Sequence, residues 1–146
     1  MRLKGDVSAE ELVAHVAEAY ERSDFRPLLD HLDESVVWIS ASANRGAFRF
    51  AGTYRGRAGV LEVTSQIAMI LSFRKYRPRE IVSNGEVVWC LVDCELVPRG
   101  TNSIIPFEMA TRFRIRDSRI LEYRGFLDTE YLRAAMSAAE AAQSAA

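Results

Sequence analysis

The sequence predicts an α+β domain in which helices pack on one face of a curved antiparallel sheet. Apolar residues recur at helical spacing in segments before Phe73, whereas from Tyr76 to Leu127 the period changes to two. Asn84-Gly85 lies between two of these later segments, and this pair favours a tight type I′ hairpin turn. Strands that follow helices and are joined by hairpins are typical of this fold class.

Length and composition indicate one globular domain over residues 1–146, with flexible ends at 1–7 and 138–146. The chain has 146 residues, 49% of them apolar, and 19 basic against 20 acidic side chains. This charge balance is not that of a nucleic-acid binder. The longest apolar run, Val87–Val92, is too short to span a membrane, and the first ten residues lack a signal-peptide core. We therefore expect a cytoplasmic protein with neither nucleic acid nor membrane as partner.

Three helices are predicted before the sheet. Ser8 and Glu11 have the spacing of a capping box at the start of a helix over residues 8–22. Phe25–Leu32 has a proline suited to a first helical turn and predicts a short second helix. Arg57–Ser72 has its apolar residues on one helical face and predicts a third helix.

Five segments rich in β-branched and aromatic residues predict strands. They are Ser35–Ser40, Tyr76–Val82, Glu86–Val97, Ile104–Ile115 and Arg119–Leu127. Asp117-Ser118 predicts a hairpin turn, and residues 98–102 predict a wider one. A last helix is expected from Thr129, capped by Asp128 or Thr129, and is expected to end before an alanine-rich tail that begins at Ser137.

Residues 41–53 have small side chains, two glycines and no clear period, which predicts a long loop. Long loops in compact domains are often functional. Cys90 and Cys94 lie on one predicted strand, where about 3.3 Å per residue separates them by roughly 13 Å. A disulfide needs Cα atoms within about 7 Å, so we expect two free, buried thiols.

The order of elements, the motif Gly52-Thr-Tyr-Arg-Gly-Arg-Ala-Gly59 and the segment Phe113–Asp128 resemble the nuclear transport factor 2-like superfamily, and within it the SnoaL-like proteins. The resemblance covers about Ala9 to Met136. It implies a cone-shaped half barrel around three to four helices, a mouth that admits a small apolar molecule, and dimers formed through the outer sheet face. The family includes ketosteroid isomerases, polyketide cyclases, limonene epoxide hydrolase-like enzymes, dehydratases and proteins without catalysis.

The chain departs from the catalytic patterns of that family. Where ketosteroid isomerases have a helix tyrosine, a general-base aspartate and an oxyanion-hole aspartate, the resemblance places Ala17, Ile39 or Ser40, and Thr111. These residues do not supply that isomerisation apparatus.

The epoxide hydrolase-like arrangement of Asp, Arg and Asp is matched at one position. The resemblance places one aspartate on Asp93, but the arginine falls near Leu91 and the second aspartate near Gly125. An isolated aspartate cannot position and activate a water as that triad does.

Asp93 is nevertheless the sharpest catalytic candidate, because it follows an unbroken apolar run. Buried without a partner, its carboxyl group would have a raised pKa and could act as an acid or base. Alternatively it faces solvent or pairs with an arginine such as Arg112. Tyr123 is the candidate helper, and Tyr20 and Tyr54 could also donate a hydrogen bond to an oxyanion; all three could instead be plain pocket wall or core.

Residues two apart on a strand share a face, so the pocket wall can be predicted from Asp93. If this residue points inward, Glu95, Phe107 and Gly125 do so too. The predicted ligand-binding wall is Tyr20, Trp38, Ser40, Tyr54, Met69, Trp89, Leu91, Met109, Thr111, Phe113 and Leu127. Such an aromatic wall with few polar groups is typical of small-molecule sites, although the same spacing also occurs in ordinary cores.

Other polar residues have structural interpretations. Asp128 caps the last helix or reaches the mouth of the cone. His15 and His31 lack partners at ligand spacing, so we expect packing roles for them and neither a metal nor a cofactor. Arg112, Arg114 and Arg116 alternate along one strand face, where a solvated or dimer-forming surface is the default.

The second face of the Glu86–Val97 strand is apolar as well. It consists of Val88, Cys90, Val92, Cys94 and Leu96. Helices can cover one sheet face only, so a partner subunit is expected on the other, and we predict a homodimer.

Three functions remain open from sequence: a cofactor-free isomerase, cyclase or hydrolase acting through Asp93; a protein that binds an apolar ligand without changing it; and a dimerisation module.

Overall fold

The computed structural model describes residues 8–145, and the predicted α+β class is confirmed. Its helices are α1 (Ala9–Glu21), α2 (Arg26–Asp30), α3 (Gly56–Ile70) and α4 (Thr129–Ala145). Its strands are β1 (Leu32–Ser40), β2 (Gly52–Arg55), β3 (Leu71–Asn84), β4 (Val87–Pro98), β5 (Ile105–Arg116) and β6 (Arg119–Leu127). Within these residues no helix is both long and apolar enough to cross a membrane.

The six strands form one curved sheet in the order β2-β1-β6-β5-β4-β3. Neighbouring strands are antiparallel except for β1 and β6, which run parallel, so the sheet is mixed rather than purely antiparallel. No hairpin joins these two strands, and their relative direction is therefore not fixed by a turn. Register shifts at Phe73/Lys75 and Pro78/Glu80 interrupt the β3–β4 ladder and help to bend β3 around the helices.

The start of α1 confirms the side-chain cap by Ser8, one half of the predicted capping box. The Ser8 hydroxyl oxygen accepts a hydrogen bond from the Glu11 backbone N–H at 3.1 Å and donates one to the Glu11 carboxylate. Leu12, Val16 and Tyr20 then lie buried on the face of α1 that covers the concave side of the sheet. This helix therefore forms one wall of the interior of the cone.

The predicted hairpins are present, but one turn is displaced and β3 begins earlier than expected. Gly85 and Glu86 link β3 to β4, and only Gly85 has positive φ, so the predicted type I′ turn at Asn84-Gly85 is wrong. Asp117 and Ser118 both have positive φ between β5 and β6, as a type I′ turn requires. The backbone becomes extended at Leu71, directly after α3, so β3 contains the five residues before Tyr76 as well.

The last helix corrects the prediction for the C-terminal tail. Asp128 caps α4 by accepting a hydrogen bond from the Tyr131 N–H at 3.0 Å, but the helix continues past Ser137 to Ala145. Alanine has the highest helix propensity, and Ala139 is buried one turn beyond Met136. The tail is therefore helical rather than irregular over its described part.

The predicted loop 41–53 is also shorter than expected. It contains a short 3₁₀ turn at Arg45–Ala47 and ends where β2 begins, at Gly52. Gly52 has a φ of +133°, and a β-carbon there would lie 2.9 Å from the Arg45 side chain. Glycine thus lets the loop fold closely over its own end.

Candidate ligand-binding site

The interior of the cone contains a small cavity in two lobes. Four aromatic side chains, Tyr20, Trp38, Tyr76 and Tyr123, line both lobes. The inner lobe, of about 10 Å³, is also lined by Val13, Val16, Ala17, Pro78, Cys90, Val92, Thr111 and Phe113. The outer lobe, of about 40 Å³, is also lined by Ser40, Ala41, Phe50, Ile67, Leu71, Phe73, Leu96, Phe107, Met109, Leu127 and Leu132.

The four shared aromatics form a connected wall. The Trp38 and Tyr123 rings are stacked, with centroids 3.8 Å apart, and Phe113 meets Tyr123 edge-on at 5.1 Å. Tyr20 and Tyr76 lie 4.8 Å apart at a tilted angle. Such contacts add to the stability gained by burying the rings and hold the wall in one arrangement.

The polar groups of this wall are uncharged at neutral pH, and burial moves their ionisation still further from it. Removal from water raises the pKa of the Tyr20, Tyr76 and Tyr123 phenols well above their usual value. Burial likewise raises the pKa of the Cys90 thiol to about 11. At neutral pH the lobes therefore present neutral hydroxyls and a thiol, which can form hydrogen bonds but carry no charge.

Most of the predicted wall lies in the cavity. Tyr20 on α1, Trp38 and Ser40 on β1, and the inward residues of β5 and β6 all line it. On the last two strands these are Phe107, Met109, Thr111, Phe113, Tyr123 and Leu127. Gly125 shares that face, where a β-carbon would lie 2.8 Å from the Tyr123 hydroxyl oxygen.

The predicted orientation of β4 is wrong. Cys90, Val92 and Leu96 face the cavity, whereas the other parity set, Trp89, Leu91, Asp93 and Glu95, lies on the outer face. The outer set contains two carboxylates that remain hydrated there, while the inner set is wholly apolar and is buried.

Asp93 consequently has no place in the cavity. Its carboxylate lies 3.2 Å from Arg79, which also pairs with Glu108 at 2.9 Å. The alternative prediction, that Asp93 pairs with an arginine, is confirmed, but the partner is Arg79 rather than Arg112. Arg112 pairs instead with Glu122 at 3.1 Å.

Tyr54 and Met69 are also misplaced by the prediction. Met69 is 79% exposed, because α3 turns Val63 and Ile67 toward the sheet and Met69 away from it. Tyr54 is buried outside the two lobes, with its hydroxyl donating to the Phe50 carbonyl oxygen at 3.4 Å.

Sequence reasoning missed several wall residues. Tyr76 and Phe73 come from the start of β3, and the aromatic spacing there was a signal that could have revealed them. Phe50 and Leu132 reach the outer lobe from the loop and from α4, where no strand or helix period predicts such a contact.

The two histidines, His15 and His31, pack against each other and the backbone. His31 is buried, and its Nδ1 lies 2.7 Å from the Pro27 carbonyl oxygen. Its ring meets that of His15 edge-on at 6.3 Å. Within residues 8–145 no group of three His, Cys, Asp or Glu side chains is placed to hold a metal ion.

Comparison with known families identifies the fold. The sequence profile of the SnoaL-like domain matches residues 13–123. The chain belongs to the SnoaL-like family. A comparison with curated proteins gives no match.

Solved structures agree with this membership. A candidate isomerase from Rhodopseudomonas palustris is 25% identical, with a TM-score of 0.76 over 88% of this chain and 97% of that one. A nuclear transport factor 2-like protein of unknown function from Burkholderia pseudomallei is 18% identical, with a TM-score of 0.77 over 86% and 95%. A limonene epoxide hydrolase-like epoxide hydrolase from Mycobacterium tuberculosis is 16% identical, with a TM-score of 0.70 over 92% of each chain.

The sequence resemblance placed the catalytic groups of ketosteroid isomerases at Ala17, at Ile39 or Ser40, and at Thr111 of this SnoaL-like protein. Ala17 and Thr111 line the inner lobe, and of the other two residues Ser40 lines the outer lobe. The positions therefore face the cavity, but a methyl group and two hydroxyls occupy them. None of the three can act as a general base near neutral pH.

Proposed function

We propose that this protein binds a small, uncharged, largely apolar molecule inside the cone. The observation that carries the proposal is the cavity wall itself: four aromatic rings and several neutral hydroxyls surround both lobes, with no charged side chain among the lining residues. A charged ligand would lose its hydration there without gaining a counter-charge. An apolar ligand with one or two hydrogen-bonding atoms would gain contact with the rings and a partner for its polar atoms.

Binding without turnover is the form of this function that the geometry favours. Isomerase, cyclase or hydrolase chemistry through a carboxylate would need that carboxylate in the cavity, and Asp93 lies on the outer sheet face. The names of two similar structures, an isomerase candidate and an epoxide hydrolase, support small-molecule chemistry as the second candidate. In that case Tyr123 is the group we propose to hold a carbonyl or epoxide oxygen of the substrate.

We also propose a homodimer formed through the outer sheet face. Leu91, Ala110 and Phe126 are neighbours across β4, β5 and β6, and Trp89 stacks on Phe126 with centroids 5.9 Å apart. Trp89 is 43% exposed and Phe126 is 39% exposed, although both are large apolar rings. Clustered apolar residues on a solvated face favour a partner subunit there.

Native mass spectrometry of gently purified protein tests both proposals. We expect a dimer with an additional mass of a few hundred daltons per chain that is lost on mild activation. Protein that carries no additional mass, and acquires none after incubation with a panel of uncharged cyclic ketones, would contradict ligand binding. A monomeric mass at micromolar concentration would contradict the dimer.

A further inference from the structure

In this structure the cavity of the cone is too small for a ligand of the proposed class. Its two lobes measure about 10 and 40 Å³, enough for a few water molecules. Ligand sites usually enclose about 300–1,000 Å³. Part of the wall must therefore move before a molecule of the proposed class can enter.

Two segments outside the sheet contribute to the wall of the outer lobe. Ala41 and Phe50, at the two ends of the loop 41–51, and Leu132 on α4 all line this lobe and are buried. The Phe50 ring packs edge-on against Phe48 of the same loop at 4.9 Å. We call the loop 41–51 and α4 together the lid.

Hydrogen bonds attach the lid to the rest of the fold near its ends. The Gly52 N–H donates to the Ser42 carbonyl oxygen, the Tyr54 hydroxyl to Phe50, and the Tyr131 hydroxyl to Pro106 on β5. Residues 141–145 of α4 are all exposed. Exposed segments with few contacts to the core belong to the low-stability part of a structure.

The loop 41–51 and α4, the two parts of the lid, are also joined to each other. The Arg49 guanidinium donates from Nη2 to both carboxylate oxygens of Glu140, at 2.6 and 2.8 Å. Arg133, two turns earlier on α4, donates to the Ala47 carbonyl oxygen. Both side chains of the Arg49–Glu140 pair are partly exposed, so water and salt can reach the pair and weaken it.

From this arrangement we infer that the lid opens as a gate for the ligand and that the Arg49–Glu140 pair is its latch. The inference rests on the proposed function, since it concerns how the ligand reaches the cone. Neither Arg49 nor Glu140 lines a lobe, so breaking the pair changes how often the cone opens rather than the chemistry of its wall.

Chemical labelling of a single thiol in the outer lobe tests the latch without any ligand. Met109 lines that lobe, so Met109→Cys in a Cys90→Ala/Cys94→Ala background places the one reactive thiol behind the lid. If the Met109→Cys variant does not fold, Leu127→Cys in the same background takes its place, because Leu127 also lines the outer lobe. The reagent is 4,4′-dithiodipyridine, which is uncharged and absorbs on reaction.

Adding Glu140→Gln is expected to raise the labelling rate by about 2- to 5-fold, the range that exposed ion pairs allow. The double reversal Arg49→Glu/Glu140→Arg should restore the slow rate. Glu130→Gln, on the same helix, is the matched control and should leave the rate unchanged. Added sodium chloride should speed labelling in the latched protein and have no such effect with Glu140→Gln.

Equal labelling rates with and without Glu140→Gln would overturn the latch. An increase fully explained by a lower global free energy of unfolding, measured by urea denaturation of the same variants, would overturn it as well. Ligand binding is judged separately by mass spectrometry, so failure of the lid and failure of the proposed function give different results.

Discussion

The indole ring of Trp38 lies flat against the phenol ring of Tyr123, with centroids 3.8 Å apart and planes 17° from parallel. The two residues are register partners across the parallel pair β1 and β6. This pairing brings the first strand along the chain beside the last one, in the middle of the sheet. It aligns two rings that line both lobes. The pairing of β1 with β6 therefore builds the central part of the candidate site.

The orientation of β4 can be tested by changing two adjacent residues. Asp93→Asn removes one partner of an exposed ion pair, so the free energy of unfolding should fall by less than about 1 kcal/mol. Val92→Asn places an amide in the buried cavity wall and should cost about 3 kcal/mol. Urea denaturation measures both. A larger loss for Asp93→Asn than for Val92→Asn would mean that β4 faces the other way.

Gly125→Ala tests how closely Tyr123 packs against β6. An added methyl group would lie 2.8 Å from the Tyr123 hydroxyl oxygen and 3.0 Å from the Met109 side chain. We expect overpacking to lower the free energy of unfolding by about 1–3 kcal/mol. Gly46→Ala, where an added methyl group meets its nearest atom at 3.4 Å, is the matched control and should change stability by less than about 0.5 kcal/mol. Equal effects of the two changes would contradict the close packing.

The buried phenols predict a loss of stability at alkaline pH. Burial raises the pKa of Tyr20, Tyr76 and Tyr123 in the folded protein, whereas in the unfolded chain these groups ionise near pH 10. Their contribution is complete below about pH 10 and is lost as the pH rises from there toward the folded pKa. The urea midpoint should therefore fall above pH 10, and it should fall less in Tyr76→Phe. An equal fall in this variant would show that Tyr76 is not buried in the cone.

Sedimentation velocity tests the proposed dimer surface. Phe126→Glu introduces a charge at the centre of the outer apolar cluster and should shift the protein toward monomer at micromolar concentration. Leu61→Glu changes an exposed leucine on α3, away from the sheet, and should leave the dimer intact. A dimer that survives Phe126→Glu but is lost in Leu61→Glu would place the interface elsewhere.

Features with local causes could be predicted from the sequence. The Ser8 cap of α1 and the turn at Asp117 and Ser118 depend on residues within four positions of each other. The inward faces of β5 and β6 are as predicted, but the predicted register with β4 is wrong, because Asp93 pairs with Glu108 and therefore lies on the face opposite to Phe107. Local features need no knowledge of which elements pack together, whereas this register does.

The orientation of β4 could not be predicted from alternation, because both of its faces are rich in apolar residues. Placing Asp93 inside the cone selects the wrong face of β4. The presence of Glu95 on the same face was the available signal, since burying two carboxylates costs more than burying none. Tyr76 and Phe50 were missed for a different reason: their place in the wall depends on how β3 and the loop fold over the cone.

The two tryptophans allow the most direct test of ligand binding in the cone, since Trp38 lines both lobes and Trp89 lies on the outer face. Trp89→Phe leaves Trp38 as the only indole, and Trp38→Phe leaves Trp89. The measurement is tryptophan emission during titration with uncharged cyclic ketones, which quench indoles on contact. We expect saturable quenching of Trp38, and for the exposed Trp89 only collisional quenching that rises linearly with ketone concentration. Absence of saturable quenching of Trp38 by any member of the panel, or equal quenching of both indoles, would contradict this expectation.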